Sequence, residues 1–313
     1  MNKINGLIAA TFAAYHEDGT INLKIIPTIV DKMIADGLSG VFICGTNGEG
    51  PNLTIEERMA IAAAYVKAAD KRILVLVHVG HSSIAECRKL AAHAEEIGAD
   101  AISSVAAFYF KPTSVRNLVK CMGQIASAAP NTPFYYYNIP TLTGVAMDMV
   151  AFLEEAEQEI PNLAGIKYTA STLHEYQACL NYKNGKFDIL FGYDEMLLPA
   201  LAVGAKGAIG STYTFAAPLY LQVMKLYNEG LSEAAAEVQL HAVNMVRCLV
   251  QYPPIPAQRA IMKMEGLDLG LCRLPLEPMS EAQSAQFKDA LESVGFFEAR
   301  GRAALDRADV SSV

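Results

Sequence analysis

The chain has 313 residues, 52% of them hydrophobic, and a formal net charge of −8. This length and apolar content suffice for one large domain with a substantial core. The acidic balance, with no basic run longer than a pair, excludes an electrostatic surface for nucleic acid or an anionic membrane and favours a small-molecule partner or a second copy of the chain.

Short apolar runs that end at glycine, proline or polar residues predict strands. The first run lies at 5–12. Lys3 followed by residues 6–14 faintly imitates a signal peptide, but one lysine and about nine apolar residues make a poor one, so we predict a buried strand instead. Seven more runs follow near 40–44, 73–79, 100–106, 133–138, 163–168, 187–192 and 206–211. They are continuously apolar, as is typical of parallel strands covered on both faces.

Helical patterns fill the gaps between these runs. Apolar residues from Ile25 to Ile34 recur at helical spacing and stop before Gly37. Similar stretches lie at 54–69, 82–97, 113–128, 146–158, 171–183 and 193–203. Eight such units predict an α/β fold, a closed (β/α)8 TIM barrel over residues 1–215, rather than an open doubly wound sheet.

The remainder of the chain lacks strand patterns. Residues 216–299 keep apolar residues at helical spacing, which predicts a C-terminal helical extension packed on the barrel. Residues 300–313 are charged and rich in small side chains, so we predict a flexible tail. No stretch approaches the roughly 20 apolar residues that a membrane helix needs.

The six cysteines are scattered and form no C-x-x-C pair or regular spacing. This pattern indicates neither a disulfide framework nor a zinc site, and we predict reduced thiols in a cytoplasmic protein. His78 and His81 are three positions apart, but no carboxylate or cysteine lies close to them in sequence. We therefore predict no bound metal.

Polar residues at the carboxyl ends of barrel strands are the first candidates for chemistry. Lys167 lies near the end of the sixth strand, inside an apolar run. It could be a snorkelling or salt-bridged lysine. If it is instead desolvated, its pKa falls and the free amine can attack a ketone to form an imine.

The fifth strand contains three consecutive tyrosines. Alternation places Tyr135 and Tyr137 on one face and Tyr136 on the other. They could all be core residues, but a tyrosine at the barrel mouth could also transfer a proton to or from a substrate hydroxyl.

A glycine-rich loop, 45–50, follows the second strand. It lacks the glycine order of a dinucleotide fingerprint and the ending of a P-loop, so we predict no nucleotide cofactor. Its backbone N–H groups, with Thr46 and Asn47, could hold a carboxylate, and a plain turn is equally compatible. At the same rim, Asp194 could cap the following helix or accept hydrogen bonds from sugar hydroxyls.

Four segments in register resemble the dihydrodipicolinate synthase and N-acetylneuraminate lyase family over residues 4–297. The four segments are Gly45-Thr-Asn-Gly-Glu49, Tyr137-Asn-Ile-Pro140, Gly165-Ile-Lys167 and 204–211. Within the family, Gly192-Tyr-Asp-Glu195 and Gly210-Ser-Thr-Tyr213 are most similar to the N-acetylneuraminate lyase branch.

This resemblance implies a Schiff-base aldolase that cleaves N-acetylneuraminate to N-acetylmannosamine and pyruvate without a cofactor. It implies that Lys167 forms the imine and that Tyr137 is the acid/base. The substrate-binding residues that it implies are Thr46, Asn47, Thr169, Gly192, Asp194, Glu195 and Ser211. It also implies a homotetramer in which Tyr109 approaches the site of a neighbouring subunit.

Two positions separate this chain from parts of the family. Asn47 replaces the second hydroxyl residue of the lyase pair, which leaves open another pyruvate-dependent aldolase acting on a 2-keto-3-deoxy sugar acid or a hydroxy-oxo acid. Leu142 stands where the synthase branch has an arginine, and without that bidentate anion clamp synthase activity is not expected. A non-catalytic sensor of a sugar acid or pyruvate is the alternative from another class; the presence of both Lys167 and Tyr137 argues against it.

Overall fold

A computed structural model describes the backbone of residues 3–310 and the side chains of residues 3–306. Eight parallel strands form a closed barrel in sequence order, and the eighth pairs with the first. They are β1 Gly6–Ala10, β2 Gly40–Ile43, β3 Leu74–His78, β4 Ala101–Val105, β5 Phe134–Asn138, β6 Leu163–Tyr168, β7 Asp188–Phe191 and β8 Gly207–Gly210. Each lies within a predicted run, and the TIM barrel is confirmed.

One helix follows each of the first seven strands, except that two follow β5. They are α1 Ile26–Ala35, α2 Ile55–Ala69, α3 Ile84–Glu96, α4 Val115–Ala126, α5 Pro140–Thr143, α6 Met149–Glu159, α7 Leu173–Asn181 and α8 Leu197–Ala202. Side chains cap several of them, as where Thr54 and Glu57 form a capping box at the start of α2. The short helix α5 was not predicted, because the four residues Pro140–Thr143, which end at a left-handed Gly144, are too few to show periodicity.

The core has two layers because side chains alternate along each strand. Inside the barrel, Tyr135 and Tyr137 pack with residues such as Phe42, Leu190 and Ile209. Tyr136 faces outward, where its ring lies 4.7 Å from that of Phe152 on α6. The predicted division of the three tyrosines is therefore confirmed.

The C-terminal helical extension is confirmed as well. Its helices are α9 Tyr213–Asn228, α10 Ser232–Leu249, α11 Pro254–Met264, α12 Glu281–Ser293 and α13 Phe296–Val310. Helix α9 is kinked at Ala216, two residues before Pro218. Across residues 3–310, the helices are all too short or too polar to cross a bilayer.

The end of the chain differs from the prediction of a tail that starts at residue 300. The backbone continues as α13 to Val310. Arg300 anchors this helix, since its Nε donates to the carbonyl of Phe215 at 2.6 Å and its guanidinium pairs with Glu265 at 2.7 Å. Residues 311–313 lie outside the described part of the chain, and the division at residue 215 stays a prediction.

Candidate active site

Lys167 lies inside the barrel, near the carboxyl end of β6 and in register with Tyr137 of β5. Its side chain is buried, with 4% of the residue exposed, and it makes no salt bridge within the described residues. Its Nζ lies 4.0 Å from the ring centroid of Phe42 and 3.9 Å from that of Tyr137. The structure therefore contradicts both the snorkelling and the salt-bridged alternatives.

Burial lowers the pKa of Lys167 to about 7, while the charge of Asp194 acts in the opposite direction. An ordinary lysine has a pKa near 10.4 and is almost fully charged at neutral pH. In this protein, Lys167 is a neutral amine in a large fraction of the molecules at neutral pH. The side chain is therefore prepared for attack on a carbonyl carbon.

We expect the rate of imine formation with pyruvate to rise with pH and to level off above about pH 8, because only the neutral amine is nucleophilic. Borohydride trapping at a series of pH values measures this profile. In Asp194→Asn the midpoint should move to lower pH, since the lost charge is the one that raises the pKa of Lys167. A midpoint above pH 9 would show that the amine is not desolvated.

Tyr137 lies beside the lysine with its ring edge-on to two neighbours. The ring centroids of Phe42 and His78 are 5.6 and 5.9 Å away. Burial raises the pKa of the Tyr137 phenol to about 12, and the hydroxyls of Thr46 and Thr169 oppose this rise. The phenol is thus protonated at neutral pH, in the form that donates a proton.

A cavity of about 140 Å³ opens between these two residues at the barrel mouth. Seven predicted site residues line it, namely Thr46, Asn47, Tyr137, Lys167, Thr169, Gly192 and Ser211. Four lining residues were missed, namely Ala10, Ile139, Ile209 and Gly210. They lie near or just beyond the carboxyl ends of predicted strands, so their position indicated the barrel mouth. Their side chains are small or apolar and gave no indication of chemistry.

The glycine loop after β2 is tightly folded against its own beginning. Cys44 and Glu49 both have positive φ, at 56° and 51°. Side chains at Gly48 or Gly50 would overlap the backbone of Cys44. The loop places Asn47 beside β1, where its amide nitrogen donates to the carbonyl of Ala10 at 3.3 Å.

Asp194 lies behind the cavity wall rather than in it. Its carboxylate accepts hydrogen bonds from the backbone nitrogen and hydroxyl of Thr212, at 2.8 and 2.7 Å. Any side chain at Gly210 would overlap this carboxylate. Burial raises the pKa of Asp194 to about 6 and also raises that of the half-buried Glu195. Asp194 starts a 3-10 turn, Asp194–Met196, but its side chain does not cap that turn.

Tyr109 is on the loop after β4 and does not line the cavity of its own chain. It is 78% exposed and packs edge-on against Phe110, which is 86% exposed. Two adjacent aromatic side chains with this exposure are unusual on the surface of a monomer.

His78 is buried under the site and belongs to a hydrogen-bond network. Its Nδ1 lies 3.1 Å from the carbonyl oxygen of Cys44, and Arg58 donates to its backbone carbonyl at 2.6 Å. Burial and the charge of Arg58 hold the pKa of His78 well below its usual value. Over the described chain, no group of three or more His, Cys, Asp or Glu side chains is placed to hold a metal ion.

Comparison with known proteins extends these observations. The model of the Dihydrodipicolinate synthetase family matches residues 3–294. N-acetylneuraminate lyase from Homo sapiens is 36% identical, and the match covers 94% of this chain and 93% of that protein. The structure of Proteus mirabilis N-acetylneuraminate lyase superposes with a TM-score of 0.92 at 37% identity, covering 94% of this chain and all of the other. A catalytic lysine mutant of Ruminococcus gnavus sialic acid aldolase gives a TM-score of 0.89 at 28% identity, with coverage of 95% and 97%.

Proposed function

The chain belongs to the dihydrodipicolinate synthetase family, and we propose that it is a Schiff-base aldolase that cleaves N-acetylneuraminate reversibly to N-acetylmannosamine and pyruvate. The main observation behind this proposal is the buried Lys167, whose pKa is lowered to about 7, beside the phenol of Tyr137. The relatives named N-acetylneuraminate lyase cover nearly the whole chain, which supports the choice of substrate.

In the proposed mechanism, the neutral amine of Lys167 attacks the ketone carbon of the open-chain sugar acid to give a carbinolamine. Its hydroxyl takes up a solvent proton and leaves as water, which gives a protonated imine. The C3–C4 bond then breaks, and its electron pair moves towards the imine nitrogen to form an enamine. The proton of the C4 hydroxyl passes to the Tyr137 oxygen, the phenol proton passes to the Thr46 oxygen, and the Thr46 hydroxyl proton passes to the substrate carboxylate that this residue binds. N-acetylmannosamine leaves as the aldehyde, and the same relay in reverse delivers the proton to the enamine carbon. Hydrolysis of the resulting imine then releases pyruvate and the Lys167 amine.

The remaining cavity residues divide into two groups in this proposal. Thr46 and Asn47, neighbours on the glycine loop that both line the cavity, hold the carboxylate of the 2-oxo acid. Thr169, Gly192 and Ser211, which line the same cavity, receive the sugar chain, with Asp194 and Glu195 on the turn that follows Gly192.

The direct test is pyruvate release from N-acetylneuraminate by the purified protein, measured beside 2-keto-3-deoxygluconate. Selective release from N-acetylneuraminate is the expected result. The presence of Asn47, an amide that cannot relay a proton as a hydroxyl does, is the one observation that favours another sugar-acid aldolase. Selective release from 2-keto-3-deoxygluconate would favour that second candidate.

We expect Asp194→Asn to lower kcat/KM for N-acetylneuraminate cleavage by about 10- to 100-fold, because a hydrogen bond to a charged group contributes roughly 1.5–3 kcal/mol. Asn is similar in shape and retains one oxygen towards Thr212. Pyruvate trapping at high pH should persist in this variant. Unchanged turnover of N-acetylneuraminate would contradict the placement of the sugar chain near Asp194.

We also propose that the protein is a homotetramer. We propose further that it is cytoplasmic and acts in carbohydrate metabolism. The exposed ring pair of Tyr109 and Phe110 supports subunit contact, with Tyr109 directed towards the site of a neighbouring subunit. All six cysteines are free thiols, as suits a reducing compartment. Sedimentation of the wild type and of Tyr109→Ser tests the assembly.

A further inference from the structure

Glu49 ends the loop that carries Thr46 and Asn47, and its side chain is completely buried. A buried carboxylate is costly unless it is paired and hydrogen-bonded. Two of its partners are Arg259, whose Nη1 lies 3.3 Å from Oε1, and the backbone nitrogen of Arg273, 3.2 Å from Oε2. Both belong to the C-terminal extension, 210 and 224 positions further along the chain.

Arg259 joins three separate segments at one guanidinium. Besides Glu49, it donates to the carbonyl of Ala13 after β1, at 2.6 Å. It also donates to the carbonyls of Leu269 and Gly270, at 2.5 and 2.9 Å, between α11 and α12. The side chain is 5% exposed, so these bonds are shielded from competing water.

The segments joined by Arg259 are continuous with the cavity. Ala10 at the end of β1 and Asn47 in the glycine loop both line it and are hydrogen-bonded to each other. Arg259 holds the chain just beyond Ala10, and Glu49 is two positions beyond Asn47. The buried ion pair therefore adds a second link between these two cavity walls.

The side chain of Arg273 is anchored, and this fixes the backbone nitrogen that donates to Glu49. Its guanidinium forms two hydrogen bonds with Glu57 of α2, at 2.5 and 2.7 Å. It also stacks 4.7 Å above the ring of Tyr15. Glu49 is thus fully engaged in structural contacts, which leaves it no role as an acid or base.

We propose that Glu49 and Arg259 are positioning residues for substrate carboxylate binding, because the buried pair between them holds Thr46 and Asn47 at the cavity. This inference rests on the proposed aldolase function. It predicts that weakening the pair raises the pyruvate concentration needed for half-maximal imine formation, whereas the reaction at saturating pyruvate is retained.

The experiment is borohydride trapping over a range of pyruvate concentrations, with the melting temperature recorded for each protein. Glu49→Ala removes the hydrogen bonds from Arg259 and from the Arg273 backbone and should raise the half-saturating concentration about tenfold at an unchanged plateau. Glu49→Gln keeps an oxygen acceptor and should give a smaller rise, about threefold. Lys263→Gln is the matched control on α11; it breaks an exposed pair with Asp268 and should leave half-saturation unchanged.

A lower melting temperature in Glu49→Ala with wild-type half-saturation would overturn the inference, since the pair would then be only structural. If Glu49→Ala does not fold, Glu49→Gln decides, and wild-type half-saturation in that variant has the same meaning. A wild-type protein that traps no pyruvate would instead show that the proposed aldolase function has failed.

Discussion

Lys167→Ala is expected to form no borohydride-stable adduct with pyruvate and to lose cleavage activity by on the order of 10,000-fold or more. The reason is that, among the residues that the structure describes, Lys167 supplies the one amine that lines the cavity. Mass spectrometry of the trapped protein, followed by peptide mapping, measures the adduct and its position.

A matched control separates loss of the nucleophile from general damage. Lys206 is an exposed lysine immediately before β8, and Lys206→Ala should trap pyruvate as the wild type does. An adduct that persists in Lys167→Ala would assign the nucleophile to another residue. The alanine variant should also fold, because it removes a buried amine rather than creating an unpaired charge.

Tyr137→Phe is expected to lower cleavage by about 100- to 10,000-fold, the range typical of a lost general acid or base, while imine trapping persists. The substitution keeps the ring that packs against Phe42 and His78 and beside the Lys167 amine. Stopped-flow measurement of imine formation and steady-state measurement of cleavage distinguish the two steps.

Tyr135→Phe is the control for this prediction. Tyr135 also faces the barrel interior, but its hydroxyl donates to Asp188 at 2.8 Å, deeper than the cavity. We expect this variant to lose some stability and to retain cleavage. If Tyr137→Phe kept activity within a few-fold of the wild type, another group would have to carry the proton.

Much of the barrel could be predicted from sequence because its strands are short and continuously apolar. The two-residue period of β5 was enough to assign inward and outward tyrosines, and strand position alone directed attention to Lys167. What the sequence left open was the environment of the amine. The two rings beside its Nζ come from β2 and β5, and Phe42 resembled any core residue until the barrel brought it to the lysine.

Contacts between distant segments were the part that could not be predicted. Asp194 was considered as a helix cap, yet its carboxylate bonds Thr212 in the space left by Gly210. Residues from Arg300 onward were charged enough to suggest a tail, yet Arg300 secures α13 through Phe215 and Glu265. In each case a tertiary partner, absent from the local pattern, determined the outcome.

The buried pair between Glu49 and Arg259 has a consequence for how the protein is made. All eight strands have left the ribosome once Gly210 and a short stretch beyond it have emerged, so the barrel can close early. The arginines that fix the loop after β2 are synthesised later. A nascent barrel would therefore carry Lys167 and Tyr137 in place before its carboxylate-binding loop is secured, and full affinity for substrate would be acquired only after Arg259 and Arg273 have emerged.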